Sequence, residues 1–223
     1  MSARDTVLGK IRASMRVPAS DAERQKTVAT RLAETPTGVI PERAQLPKSG
    51  QLELFCAMAS QFGATMTRVS DYSQVPAEVS TYLRSRNLPA EIRMGADKRL
   101  KKAGWASEKN LEVRQGVSDG GDLAGVSHAM AGIAETGTLA LTSGQDNPTT
   151  INFLPEHHIV VLKASDIKGD MESVWAMLRK THGKGEMPRA VNLITGPSRS
   201  GDIEQTIILG AHGPRALHIV IIE

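Results

Sequence analysis

The sequence predicts an α/β fold, a mostly parallel sheet with flanking helices, on three observations. Short apolar runs rich in β-branched residues, Val191 to Ile194, Ile159 to Leu162 and Leu217 to Ile222, are continuous where a half-exposed strand would alternate. That pattern suits strands covered on both faces, as in parallel sheets. Between such runs lie stretches of helical period, and the alternation of strand with helix is the mark of this class. Finally, 223 residues suffice to bury a full core.

Taken in order, Val7, Leu8, Ile11 and Met15 fall on one face of a short amphipathic helix, with Arg4, Lys10, Arg12 and Arg16 largely elsewhere. Packing on its own domain is the plainest use of that face; a partner or an anionic lipid surface are the others. Asp21 to Glu34 is a more polar helix. Prolines 36, 41 and 47 with glycines 38 and 50 then read as an exposed arm, so that residues 1–50 precede a single globular domain over residues 51–223. Leu54, Phe55, Met58, Ala59 and Phe62 have helical spacing within Leu52 to Phe62, and Gly63 is the stop.

Ala64 to Val69 reads as a strand, Pro76 to Arg86 as a helix with proline in its first turn, and Glu91 to Met94 and Leu111 to Arg114 as further strands. Basic residues outnumber acidic ones from Arg84 to Arg114, a positive surface that reads as a solvated face, with an acidic partner or a phosphorylated ligand as its other uses. Gly116 to Gly125 is a turn region. Gly125 to Ala134 and Thr138 to Leu141 are strand-like, joined tightly by Glu135, Thr136 and Gly137. Ser143 to Pro155 is a polar loop whose Asn147, Thr149, Thr150 and Asn152 offer neutral donors and acceptors, as a lid or specificity loop would. Met171, Val174, Trp175 and Leu178 form the inner stripe of a helix, and Thr181 to Pro188 is a loop.

Composition narrows the function. With 27 Lys and Arg against 24 Asp and Glu, the formal charge is +3, too close to balance to argue for nucleic acid or a membrane surface. Aromatic content of 3% leaves little material for base stacking. Basic and apolar residues interleave in MSARDTVLGKIRASM, and no spanning apolar segment follows, so the expected address is the cytoplasm. The single cysteine, Cys56, forbids an internal disulfide and a cysteine-held cluster within this chain. Its place inside a helical stripe reads as a buried, inert thiol, with a reactive thiol as the other reading.

The polar, glycine-punctuated segment between Ile194 and Leu217 carries the most chemistry. Ser198, Arg199, Asp202 and Glu204 set a guanidinium, a hydroxyl and two carboxylates beyond a strand's carboxyl end, where open α/β sheets bind ligands. Arg199 can clamp a carboxylate or phosphate bidentately, oriented by Asp202 and Glu204; an internal Arg199 to Asp202 pair that pins the loop is the other reading. His212, flanked by Gly210 and Gly213 and followed by Pro214, is the histidine best presented for proton transfer, with hydrogen bonding to loop backbone as its alternative. His157 and His158 point to opposite faces if the strand begins there, so they do not make one metal site, and one of them faces the pocket. His218, inside an apolar strand, reads as structural. No dinucleotide-type glycine cradle is present.

GPSRSGDIEQTIILGAHGP, with AETGTLAL at Ala134 to Leu141 and NFLPEHHIVVL at Asn152 to Leu162, resembles the LUD-domain family of lactate-utilisation proteins, in particular its small single-domain members. The resemblance covers the last hundred residues strongly. It implies the fold of the glucosamine-phosphate isomerase, ribose-phosphate isomerase and CoA transferase superfamily (the NagB/RpiA/CoA transferase-like fold) and a part in oxidation of L-lactate to pyruvate beside iron-sulfur oxidoreductase subunits. The clusters are then expected in those partners and no cofactor in this chain. Glu135-Thr136-Gly137 is similar to the Glu-Asn-Gly in which CoA transferases of that superfamily hold their catalytic glutamate, with Thr in place of Asn. Two readings of Glu135 therefore stand: an acid, base or nucleophile, or a carboxylate that caps backbone amides. The catalytic candidates are Glu135 and His212. The substrate-binding candidates are Thr136, Gly137, Thr138, Asn147, Ser198, Arg199, Asp202, Glu204 and Gly213, for a small carboxylate or phosphorylated ligand. The alternative to the lactate role is a self-sufficient isomerase or transferase acting on a small carboxylate, phosphate or thioester.

Overall fold

A computed structural model describes residues 2–16, 18, 20–183, 185–203 and 206–223, with backbone alone at 202, 203, 206 and 207. The chain divides into two compact units, Met1–Val39 and Ile40–Glu223. The first contains α1 (Ala3–Met15), opened by a Ser2 and Asp5 capping box, and α2 (Ala22–Glu34), opened by Asp21, whose carboxylate accepts the Arg24 amide. No residue of either helix is buried, and Val7, Ile11 and Met15 are exposed.

The second unit holds α3 (Lys48–Gln61), β1 (Thr65–Val69), α4 (Val75–Ser85), β2 (Glu91–Met94), α5 (Lys98–Lys101), β3 (Glu112–Gln115), β4 (Ala124–His128), β5 (Ala131–Ile133), β6 (Thr138–Thr142), α6 (Thr149–Phe153), β7 (His157–Lys163), β8 (Ile167–Lys168), α7 (Met171–His182), β9 (Val191–Ile194), β10 (Arg199–Ile203), β11 (Thr206–Leu209) and β12 (Ala216–Ile222). Helix α3 starts before the expected Leu52, because Pro47 ahead of it has no amide to satisfy and a φ suited to a helix entry. The expected exposed arm is anchored in part by Ala44, which is buried.

Six strands form a parallel sheet in the order β1-β12-β7-β4-β2-β3. The central strands β7 and β12 are covered on both faces, which is why Ile159 to Leu162 and Ile219 to Ile222 are apolar without interruption. One face, with Ile159, Val161, Val220 and Ile222, packs against Val75, Val79 and Leu83 of α4. The other, with Val160, Leu162, Ile219 and Ile221, packs against Phe55 and Ala59 of α3 and Leu139 and Leu141 of β6. Each of these fully buried aliphatic side chains contributes about 1.5–3 kcal/mol of burial free energy before entropy is subtracted.

Strands β8, β5, β6 and β9 form a second sheet, whose far face receives Val174 of α7. Two expectations change here. Gly125 to Ala134 is not one strand: the Ala129 amide donates to Val161 in the large sheet and the Met130 amide to Ala140 in the small one, so the chain passes between sheets within one peptide unit. Val191 to Ile194 lies antiparallel to β6 at the edge of the small sheet, with Leu193 40% exposed, and is not a two-face-covered strand of the parallel sheet. The polar segment that follows it contains β10 paired antiparallel with β11.

Candidate functional site

The site begins with a glycine. At Gly125 on β4 a Cβ would stand 2.8 Å from Ile151 Cγ2 and 2.9 Å from Pro155 Cγ, so only glycine lets α6 lie this close to the sheet. Helix α6 thus takes up Thr149–Phe153 of the polar loop expected over Ser143 to Pro155, with Ile151 and Asn152 fully buried. It carries Asn152 to Ser127 of β4, whose hydroxyl donates to Asn152 Oδ1 at 2.8 Å. His158 of β7 points to the same face, its Nε2 3.0 Å from Ser127 Oγ. Burial pushes His158 down to about 3, so its ring is neutral.

Above this buried trio lies a cavity of about 300 Å³. Asn152, Phe153, His158 and Leu217 line it from below, Thr195 to Arg199 form one wall, and His212 to Pro214 form the other. Two backbone bonds fix the walls: the Ser198 amide donates to Pro214 (2.8 Å) and the Gly210 amide to Ser198 (3.0 Å). The cavity sits where β7 and β12 begin, at the amino ends of the parallel strands. Only β9, of the small sheet, meets it by its carboxyl end.

The structure brings together Ser198, Arg199, His212 and Gly213 of the sequence candidates. His212 is exposed, at the mouth. Arg199 lines the cavity, and its Nη2 donates to the Phe62 carbonyl at the end of α3 (2.6 Å). Thr138 and Thr136 reach the site through hydroxyls: Thr195 to Thr138 is 2.7 Å and Thr138 to Thr136 is 2.8 Å. The remaining candidates lie apart from it. Gly137, at φ +63, is pressed against the α3 backbone at Ala59, where no Cβ fits. Asn147 is buried and donates to the Thr142 carbonyl (3.1 Å), closing its own loop. The Asp202 side chain and Glu204 lie outside the described residues.

Glu135 is 7% exposed and does not line the cavity; its Oε1 accepts the Met171 amide at 2.9 Å, at the start of α7. This is the capping geometry, with the carboxylate at the positive end of a helix dipole. His157 and His158 diverge as their adjacency requires. His157 Nδ1 lies 2.9 Å from the Tyr82 hydroxyl on the opposite face, where His218 stacks on the Tyr82 ring at 4.4 Å and meets Thr65 Oγ1 at 2.8 Å. Cys56 is half-buried rather than enclosed, and Arg68 Nη2 lies 3.5 Å from its Sγ, a neighbour that sequence distance concealed. One cysteine does not fit an iron-sulfur cluster, which takes several thiolates.

Ser127 was invisible in the sequence, where it stands in the unremarkable stretch Ala124 to His128. Asn152 and His158 were visible only as a polar loop residue and as one of two adjacent histidines. Their meeting depends on three separate elements.

The family model described as the LUD domain matches residues 52–222, a span that contains every residue of the cavity. Lactate utilization protein C of Geobacillus sp. (strain WCH70) is 33% identical over 120 residues, 53% of this chain and 48% of that protein. Lactate utilization protein C of Anoxybacillus flavithermus is 38% identical over 92 residues, 41% of this chain and 40% of that protein. The chain thus aligns with half or less of the length of these relatives. In fold it is similar to the crystal structure of a DUF162 family protein from Deinococcus radiodurans, with a TM-score of 0.59 and 20% identity over 80% of this chain and 99% of that one.

Proposed function

The chain belongs to the LUD domain family, and on that premise we propose that it serves lactate utilisation as the component that holds a small 2-hydroxy acid, acting in the cytoplasm in oxidation of L-lactate to pyruvate. The observation that carries this reading is the cavity of about 300 Å³, with Arg199 in its wall and neutral polar groups on its floor, inside the span that the family model matches. The volume is ample for a small acid, and a guanidinium is the side chain best matched to a carboxylate.

Oxidation of a 2-hydroxy acid to a 2-oxo acid releases two electrons and two protons. The electrons are proposed to leave through cysteine-rich iron-sulfur subunits, since the single cysteine here supplies no cluster ligand set. What this chain contributes is binding and orientation: Arg199 for the carboxylate and His212 at the mouth for exchange of a proton with solvent. No helix among the described residues is long and apolar enough to cross a membrane. A self-sufficient transferase acting through Glu135 has less support, because that carboxylate is engaged at α7 and away from the cavity.

The test is a tagged purification from cells grown on L-lactate, with cluster absorbance and lactate-dependent reduction of an artificial acceptor measured on the eluate and on the chain alone. An active, cluster-bearing complex beside an inert lone chain supports the reading. A chain that is recovered alone and neither binds nor turns over lactate overturns it.

A further inference from the structure

The exposed guanidinium in the cavity wall is backed by a helix. Helix α3 ends in a Schellman cap: Gly63 has φ +86, its amide donates to the Ser60 carbonyl at 2.9 Å, and the Ala64 amide donates to the Ala59 carbonyl at 3.0 Å. Neither bond uses the Phe62 carbonyl, and Arg199 Nη2 donates to it at 2.6 Å. Two glycines allow the approach. A Cβ at Gly63 would stand 2.8 Å from Arg199 Nη2, and one at Gly196 would run into the Phe62 carbonyl oxygen. The wall from Gly196 to Arg199 therefore lies directly on the last turn of α3, while Phe62 itself does not line the cavity.

The carboxyl end of this 14-residue helix carries about half an elementary charge of negative sign. That pole stabilises the guanidinium and lowers the positive potential it presents to the cavity. Among the described residues of the lining, Arg199 is the one permanent cation, and the His158 ring is neutral. Arg215 lines a neighbouring cavity that shares His212, and it faces Glu156 at 3.4 Å.

We propose that the cavity selects a singly charged carboxylate and discriminates against doubly charged ligands of similar size, phosphate monoesters and dicarboxylates, because the negative pole of α3 backs its guanidinium. The inference rests on the reading above that the cavity holds a small acid, and it sets aside the phosphorylated ligand that an arginine alone would also suit. With one N–H of its five on Phe62, Arg199 keeps four for a ligand. A monocarboxylate matches that guanidinium charge for charge through a two-pronged contact. A dianion leaves one charge uncompensated in a cavity, where Coulomb energies exceed those in water, and it meets the α3 pole with twice the repulsion. Helices that bind phosphate do so at the opposite pole, the N-terminus, with its free amides and positive partial charge. Helix α3 offers this site its other end.

The experiment titrates the full chain, alone and in the complex it is isolated with, at a pH of about 8, where a phosphate monoester carries two charges. The probes are L-lactate and monomethyl malonate as monoanions, and malonate and methyl phosphate as dianions; the malonate pair separates charge from size. Both monoanions are expected to bind at least about tenfold more tightly than either dianion. Gln61→Lys places a cation at an exposed position in the last turn of α3. It is expected to raise dianion affinity about two- to fivefold and monoanion affinity by less. Should that variant not fold, Ser60→Lys, exposed on the same turn, takes its place. Dianions that bind as tightly as L-lactate, with all binding lost in Arg199→Ala, overturn the selection and leave the acid-binding cavity standing. A preference for monoanions that the lysine leaves unchanged overturns the role of α3. No binding of any probe, in either preparation, overturns the reading of the cavity as well.

Discussion

Replacing Glu135 separates its two chemical roles. Its Oε1 accepts the Met171 amide at 2.9 Å, while its own amide donates to Gly169 at 3.0 Å, so the turn between β5 and β6 is bolted to the start of α7. Asp170 caps the same helix end by accepting the Ser173 amide at 2.7 Å. A charge-assisted bond at a helix N-terminus is worth about 1–2 kcal/mol. Glu135→Ala removes it from a side chain that is 7% exposed, and for a chain of this size the midpoint of thermal unfolding should fall by about 2–8 °C. Glu135→Gln retains a carbonyl acceptor and loses only the charge, at about 0.3–1 kcal/mol and a fall of no more than about 4 °C. The assay pairs thermal unfolding with lactate-dependent growth, and the capping account requires function to follow the amount of folded protein. A glutamine variant that melts with the wild type yet supports no growth would refute it and return Glu135 to the chemistry.

Other expectations follow from the same geometry. Arg199→Ala removes the cavity's guanidinium and the bond to the Phe62 carbonyl; it should abolish growth on lactate at a stability cost of about 1 kcal/mol, and wild-type growth would count against the site. Gly125→Ala forces Ile151 and Pro155 away from β4 and should cost about 1–3 kcal/mol together with lactate binding, because α6 carries Asn152; unchanged denaturant midpoints would show that α6 does not need this seat. His128 and His218 are pushed down to about 4 and His158 to about 3, in each case chiefly by burial. Their folded-state values lie below the unfolded value of about 6.5, so the unfolded chain binds more protons in the interval. Stability is therefore full above about pH 6.5 and falls with acidification, by up to about 1.4 kcal/mol per pH unit for each ring. Denaturant midpoints that stay constant from pH 7 to pH 5 would contradict neutral, buried rings.

Local chemistry was enough to recover much of the fold. Strands β7 and β12 carry the apolar runs Ile159 to Leu162 and Ile219 to Ile222 because both faces are covered there, and runs rich in β-branched residues record that directly. Pro76 in the first turn of α4, Asp21 before α2 and Gly63 after α3 mark helix ends through backbone geometry that is fixed within a few residues. The motifs around Arg199 and His212 pointed to one wall of the cavity and to its mouth. Adjacent histidines on a strand must diverge, and His157 and His158 do.

What tertiary structure alone decided is everything that depends on contacts distant in sequence. The passage of the chain from one sheet to the other at Ala129 and Met130 is set by carbonyls on two different strands, Val161 and Ala140, and leaves no mark in the apolar run itself. The amide that Glu135 caps belongs to Met171, 36 residues later in the chain. Ser127 meets Asn152 and His158 across 25 and 31 residues. A serine in a strand, an asparagine in a polar stretch and one of two histidines are each ordinary in sequence; only packing brings the three together.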